Sequence, residues 1–223
     1  MDKIMDKIMD KIMEASDLEF IFTALQKTFP DAHCELEFHT PYELLIATIL
    51  SAQCTDERVN QVTAALFQSA NTPESILALG LNNLEREIRS LGLYHNKAKS
   101  ILAASQLLVE KYSGVVPDTI DLLRKLPGVG RKTANVVASN AYGVPALAVD
   151  THVFRVAHRL GLAEGNTPEK VEKELMNVFP RERWSDLHHL FIFLGRRICF
   201  ARKPNCPECP LPSVCKMFKS TEL

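Results

Sequence analysis

Cys199, Cys206, Cys209 and Cys215 follow the spacing C-x6-C-x2-C-x5-C. Four soft thiolates this close in sequence suit a metal centre. Structural zinc sites usually pair two short C-x2–4-C knuckles, and only Cys206-Pro-Glu-Cys209 is one here. One knuckle flanked by longer loops favours an iron–sulfur cluster, whose ligands stand farther apart. Zinc remains the competing ion. Cys34 and Cys54 lie far upstream in helical surroundings and read as ordinary core thiols.

A second group is Leu126-Pro127-Gly128-Val129-Gly130-Arg131-Lys132-Thr133-Ala134. Pro127 ends an apolar helix, and Gly128 and Gly130 permit positive φ and close approach of another backbone. A new helix then starts, so unpaired N–H groups sit beside Arg131 and Lys132, and phosphate fits such a site. A dinucleotide fold is disfavoured, because Thr133 replaces the third glycine of G-x-G-x-x-G and no strand precedes it. Without a ligand, the same segment is simply a tight helix–helix turn.

Asp150, in Val149-Asp150-Thr151-His152, opens another helix. Taken alone its carboxylate is an N-cap; it becomes catalytic only if a site opens toward it. Gln53, in the polar break Leu50 to Asp56, can pair with a base edge, but alone it reads as a loop side chain bonding locally. Between Arg181 and Lys219, eight basic residues outnumber three acids in a chain whose formal net charge is −1. A metal-braced loop carrying Arg202 and Lys203 there makes a surface for phosphate; ordinary solvated charge is the alternative.

The elements that must position these residues read as helices. Period-2 alternation is missing. Thr40-Pro41, Thr72-Pro73 and Thr167-Pro168 each place a cap residue before a first-turn proline, and Glu43 completes a capping box with Thr40. Periodicity predicts helices near 17–29, 41–53, 57–69, 73–80, 82–90, 94–112, 119–126, 131–142, 151–160, 168–179 and 184–197. The helix from Pro41 is apolar nearly all round, so it should be buried. Beyond Cys199, four prolines among the cysteines rule out a long helix.

The chain has 223 residues, 46% hydrophobic and 24% charged, enough for one large domain or two small ones. No apolar run approaches the roughly 20 residues needed to span a bilayer, so no membrane partner is expected. The N-terminus repeats Met-Asp-Lys-Ile three times, predicting an amphipathic helix. Its aspartates argue against a secretory or transit peptide, which predicts a cytoplasmic protein that is not secreted.

These motifs, with Gly92-Leu93-Tyr94, occur in the order found in a known family. Leu126 to Ala134 resembles the helix–hairpin–helix of DNA repair glycosylases, and the cysteine spacing resembles their 4Fe–4S loop. From about residue 20 to Lys216 the chain is similar to the endonuclease III family. The N-terminal repeat departs from the family pattern but touches no motif.

The resemblance implies an all-α fold of two helical lobes with DNA in the cleft between them. Residues 34–144 would form a six-helix barrel lobe with helix–hairpin–helix at 120–142. Residues 1–33 and 145–223 would form the cluster lobe, with the 4Fe–4S loop at 199–215. It implies one 4Fe–4S cluster on Cys199, Cys206, Cys209 and Cys215, with Lys132 as nucleophile and Asp150 as catalytic carboxylate. Gly128, Val129, Gly130 and Arg131 would hold the DNA backbone, with Arg202 and Lys203 adding phosphate contacts. Gln53 and Leu93 would fill the gap left by an extruded base. The partner would be double-stranded DNA with damaged bases or abasic sites, bound by a nucleoid-associated monomer. A monofunctional adenine-mismatch relative is the alternative enzyme, although such relatives lack lysine at position 132. A non-catalytic, zinc-braced DNA-binding module is the alternative from another class.

Overall fold

The computed structural model describes residues 14–221, and within them the secondary structure is helical with no strand. The helices are α1 (Ala15–Thr28), α2 (Pro41–Leu50), α3 (Asp56–Ser69), α4 (Pro73–Leu79), α5 (Leu81–Glu87), α6 (Tyr94–Tyr112), α7 (Ile120–Leu123), α8 (Arg131–Tyr142), α9 (Thr151–Leu160), α10 (Pro168–Val178), α11 (Trp184–Arg197) and α12 (Lys216–Thr221). The helix expected on the Met-Asp-Lys-Ile repeat lies outside the described residues. No described helix is long and apolar enough to cross a membrane.

The Thr-Pro starts act as their chemistry requires. Thr40, Thr72 and Thr167 each accept the N–H of the residue three positions on. Thr72 and Ser75 close a reciprocal box. Glu43 does not close one with Thr40. Its carboxylate reaches one residue further back, to the His39 N–H, and also accepts from Asn71. Two helices are shorter than their periodicity suggests. α2 stops at Leu50 rather than continuing to 53, because Gln53 takes a left-handed φ of 57° that a helix cannot carry. α7 is one turn, 120–123 rather than 119–126, and tight turns then carry the chain into Pro127.

The chain divides into two compact units: the continuous stretch Cys34–Ala146, and a second built from the segments that end at His33 and resume at Leu147. In the continuous unit every residue from Tyr42 to Leu50 is buried. α2 packs against α3, α6 and α8. Leu44, Leu45, Ile46 and Leu50 are fully enclosed, each worth about 1.5–3 kcal/mol on burial. The outcome is a rigid rod that delivers Ser51 to Thr55 to the surface.

In the other unit α9 packs on α11. A Cβ at Gly195 would lie 2.9 Å from that of His152, so only glycine permits this approach. α1 lies against α11 through Ile21, Phe22, Leu25, Phe29 and Phe193. Arg183 bonds Glu19 at 2.6 Å and covers the Phe22 ring, while Arg197 covers the Phe193 ring at 4.0 Å. Two of the basic residues counted toward a phosphate surface are thus engaged inside their own unit.

His189 is 9% exposed. Burial first, then the neighbouring His188 and His33, lower its pKa to about 3. A histidine held neutral in the folded state but free to protonate when unfolded stabilises the fold above about pH 6.5. That contribution is lost as pH falls toward 3, by up to about 1.4 kcal/mol per pH unit. Thermal unfolding followed from pH 7 to 4 should therefore show a shallower pH dependence in His189→Gln than in the wild type; parallel curves would contradict the assignment.

Candidate active site and metal centre

The hairpin is built in the continuous unit. Gly128 has φ 78°, and a Cβ there would meet the Ser100 Cβ of α6 at 2.6 Å. Glycine is needed at this position for conformation and for space. Gly130 differs from the expectation of positive φ: it is extended at −82°, and a Cβ there would meet nothing within 4 Å. Its smallness leaves open space in front of the helix start.

Val129 corrects the sequence reading. Its side chain is buried in the core and its N–H donates to the Leu126 carbonyl, so neither can reach a ligand. Among the described residues, the amides of Gly128, Gly130 and Lys132 donate to no carbonyl. They border the N-terminus of α8, where the helix dipole also favours an anion. Arg131 is half-buried, while Lys132 is exposed on the first helical turn.

Gln53 and Leu93 belong to the same unit. Both are exposed, and both hold left-handed backbone, at φ 57° and 60°. That conformation is strained for side chains other than glycine and clusters at functional positions. Leu93 leaves 55% of its surface in solvent, which is a poor place for a leucine unless something is to cover it.

Asp150 caps α9 in the other unit. Its Oδ1 accepts the N–H groups of His152 and Val153, both at 2.8 Å. Oδ2 accepts no hydrogen bond among the described residues, which leaves it for chemistry. His152 is packed rather than poised: burial lowers its pKa, only partly offset by Asp150.

The four cysteines of the C-terminal loop line a single pocket with a cavity volume of about 20 Å3, partly open to solvent, with Val156, Leu160, Leu194 and Met217. Among the described residues no three His, Cys, Asp or Glu side chains converge as if on one ion; the sulfurs surround a space instead. Burial, and then the nearby Cys199, Cys215 and Cys206, raise the Cys209 thiol. Cys215 is raised similarly, by burial first. An apolar pocket ringed by four mutually unfavourable sulfurs fits a bulky cationic inorganic core. Arg202 and Lys203 stand exposed on the same loop, Lys203 at φ 51°.

Two residues went unnoticed in the sequence. Arg155 and Arg159 stand one turn apart on α9. Arg155 donates to the carbonyls of Cys199 and Gly195. Arg159 donates to the carbonyls of Phe200 and Ala201 and lies 3.2 Å from Cys199 Sγ. The helix capped by Asp150 therefore grips the cysteine loop directly. The i, i+4 spacing of the arginines was visible, but the loop they face was not.

The HhH-GPD superfamily base excision DNA repair protein model matches residues 46–181. Endonuclease III of Bacillus subtilis is 52% identical over 200 residues, covering 89% of this chain and 91% of that protein. Endonuclease III of Escherichia coli K12 is 45% identical over 203 residues, covering 91% and 96%. A solved structure of a trapped endonuclease III–DNA covalent intermediate matches with a TM-score of 0.90 at 50% identity, over 95% of this chain and 100% of that one. The hairpin with its free amides and the lysine on the turn that follows lie within the family-model match, and the chain belongs to the HhH-GPD superfamily of base excision DNA repair proteins and, within it, to the endonuclease III family.

Proposed function

We propose that this chain removes oxidised pyrimidines from duplex DNA through a covalent intermediate on Lys132, nicks the resulting abasic site by β-elimination, and works as a monomer. Membership of the endonuclease III family makes it a DNA glycosylase and abasic-site lyase. The observation that carries the residue assignment is Lys132 itself, an exposed amine on the residue whose own N–H is the last of a set of phosphate-ready amides.

The amides of Gly128 and Gly130 hold the DNA backbone without reading sequence. The damaged nucleotide leaves the stack, because its glycosidic carbon is otherwise out of reach. Leu93 wedges into the vacated space and Gln53 pairs with the orphaned base. The neutral Lys132 amine attacks C1′, the C–N bond to the base breaks, and the base leaves with the bonding pair. Ring opening gives an iminium, and loss of a C2′ proton expels the 3′ phosphate. The Asp150 carboxylate assists by accepting a proton and by opposing positive charge on the sugar. Cys199, Cys206, Cys209 and Cys215 would hold one 4Fe–4S cluster, which when bound folds the loop that presents Arg202 and Lys203.

Borohydride reduction in the presence of duplex DNA bearing an abasic site tests the covalent step. A stable protein–DNA adduct is expected on Lys132, and cleavage without any adduct would overturn it. The hairpin makes a separate prediction. Gly130→Val should melt like the wild type, since its side chain meets open space, yet bind every duplex about tenfold more weakly. Gly128→Val should instead lose about 2 kcal/mol or more of stability to strain and overlap with Ser100. Thermal melts and duplex titrations separate the two, and a sequence-selective loss in Gly130→Val would contradict the backbone role.

A further inference from the structure

Lys97 lies one turn into α6 and is only 5% exposed. Its Nζ donates to Cys54 Sγ at 3.3 Å, the one hydrogen bond that this ammonium makes among the described residues. Buried ammonium groups are normally matched by a carboxylate or several carbonyls; here the match is a sulfur. Cys54 packs against the core, as the sequence suggested, but is only half-buried. The pair also has a definite place in the fold. Cys54 follows Gln53 in the loop after α2, and Lys97 rises from the helix capped by Leu93, whose carbonyl accepts the Lys97 N–H. The Lys97 side chain therefore ties together the two strained segments that carry Gln53 and Leu93.

A thiolate is the reactive form of cysteine, and a neighbouring fixed cation is the surrounding in which reactive cysteines are found. We propose that Cys54, paired with Lys97, is a reversible modification site for low-molecular-weight disulfides, and that its occupation weakens binding to damaged DNA. In the exchange the Cys54 sulfur attacks one sulfur of a disulfide such as glutathione disulfide. A new S–S bond forms, the old one breaks, and the second glutathione departs as a thiolate that takes up the proton Cys54 gave up. Free thiol reverses the exchange. The attached group is anionic and stands between Gln53 and the Leu93 turn, on a surface that has to meet phosphate. The effect on DNA rests on the reading of Gln53 and Leu93 as gap-filling residues; the reactivity does not.

The test treats the folded, cluster-loaded protein with glutathione disulfide, measures the rate at each cysteine by peptide mass spectrometry, and titrates a duplex containing an abasic-site analogue. Cys54 should form the mixed disulfide at least about fivefold faster in the folded protein than in the same chain unfolded in urea. Lys97→Met should remove that acceleration, and Lys97→Arg should keep most of it. Duplex affinity should drop about tenfold on modification and return with dithiothreitol, while Cys54→Ser stays insensitive. Equal rates for Cys54 in folded and unfolded chains overturn the site, a comparison that stands even if Lys97→Met fails to fold. Full modification with unchanged affinity overturns the regulation. If Leu93→Ala also binds damaged duplex like the wild type, it is the gap-filling reading that has failed, with the reactive site left standing on its rates.

Discussion

Lys132→Gln binds damaged duplex with near-wild-type affinity, releases no base and forms no borohydride-trapped adduct. This is the outcome if the amine is the nucleophile. Lys132 is exposed and makes no hydrogen bond that the fold depends on, so its loss leaves the hairpin and its amides intact. As one phosphate contact among several, it would contribute only modest, salt-sensitive affinity. Loss of the covalent route removes the reaction, a fall of at least about a thousandfold in cleavage rate. Lys132→Arg decides between the roles. It keeps the charge, but a guanidinium stays protonated and cannot form the Schiff base, so it should be as inactive as the glutamine variant. Wild-type cleavage and trapping by Lys132→Arg would reduce Lys132 to a phosphate contact. Asp150→Asn should slow the reaction yet leave measurable trapping, because the amine remains.

Cys215→Ala yields a colourless protein without iron, cleaved by trypsin within 199–215. Anaerobically purified wild type should carry about four irons per chain. The loop has little else to hold it: its helical content is two three-residue turns, Cys206–Glu208 and Pro212–Val214. From outside the loop Arg155 and Arg159 bond its carbonyls, and from within it Leu211 and Cys215 reach the core. Order in a loop with so little helix is expected to depend on its metal. Loss of the metal frees Arg202 and Lys203 from their fixed position, and duplex affinity should fall about tenfold or more. One zinc per chain in the purified wild type would contradict the assignment.

The helical architecture was readable from residue patterns because its signals are local. Thr-Pro starts, glycine stops and 3.6-residue periodicity act within one or two turns. The readings that failed depended on what lies across a gap. Positive φ and close approach were both open at Gly130; only the second survives in its extended backbone, and space is a property of neighbours. Val129 sits in a motif of ligand-facing amides, yet its own amide and side chain turn inward because Leu126 and the core are there to receive them. Arg183 looked like surface charge until α1, far away in sequence, supplied Glu19 and the Phe22 face that it covers, while Arg197 folds over Phe193 one turn back on its own helix. The four cysteines were legible from spacing, whereas the grip of Arg155 and Arg159 on their loop was not, since it spans about forty positions.

The discontinuity of one unit has a consequence during synthesis. Cys34–Ala146 is a single stretch and can fold as soon as it clears the ribosome. The segment ending at His33 emerges earlier and has no packing partner until the chain beyond Leu147 follows. At translation rates of about 5–20 residues per second, that delay is on the order of ten seconds. Throughout it, Ile21, Phe22, Leu25 and Phe29, all enclosed in the finished protein, are a bare apolar stripe on a nascent chain. Chaperones that bind such stripes would meet α1 first, and slower translation of the middle stretch would lengthen their opportunity.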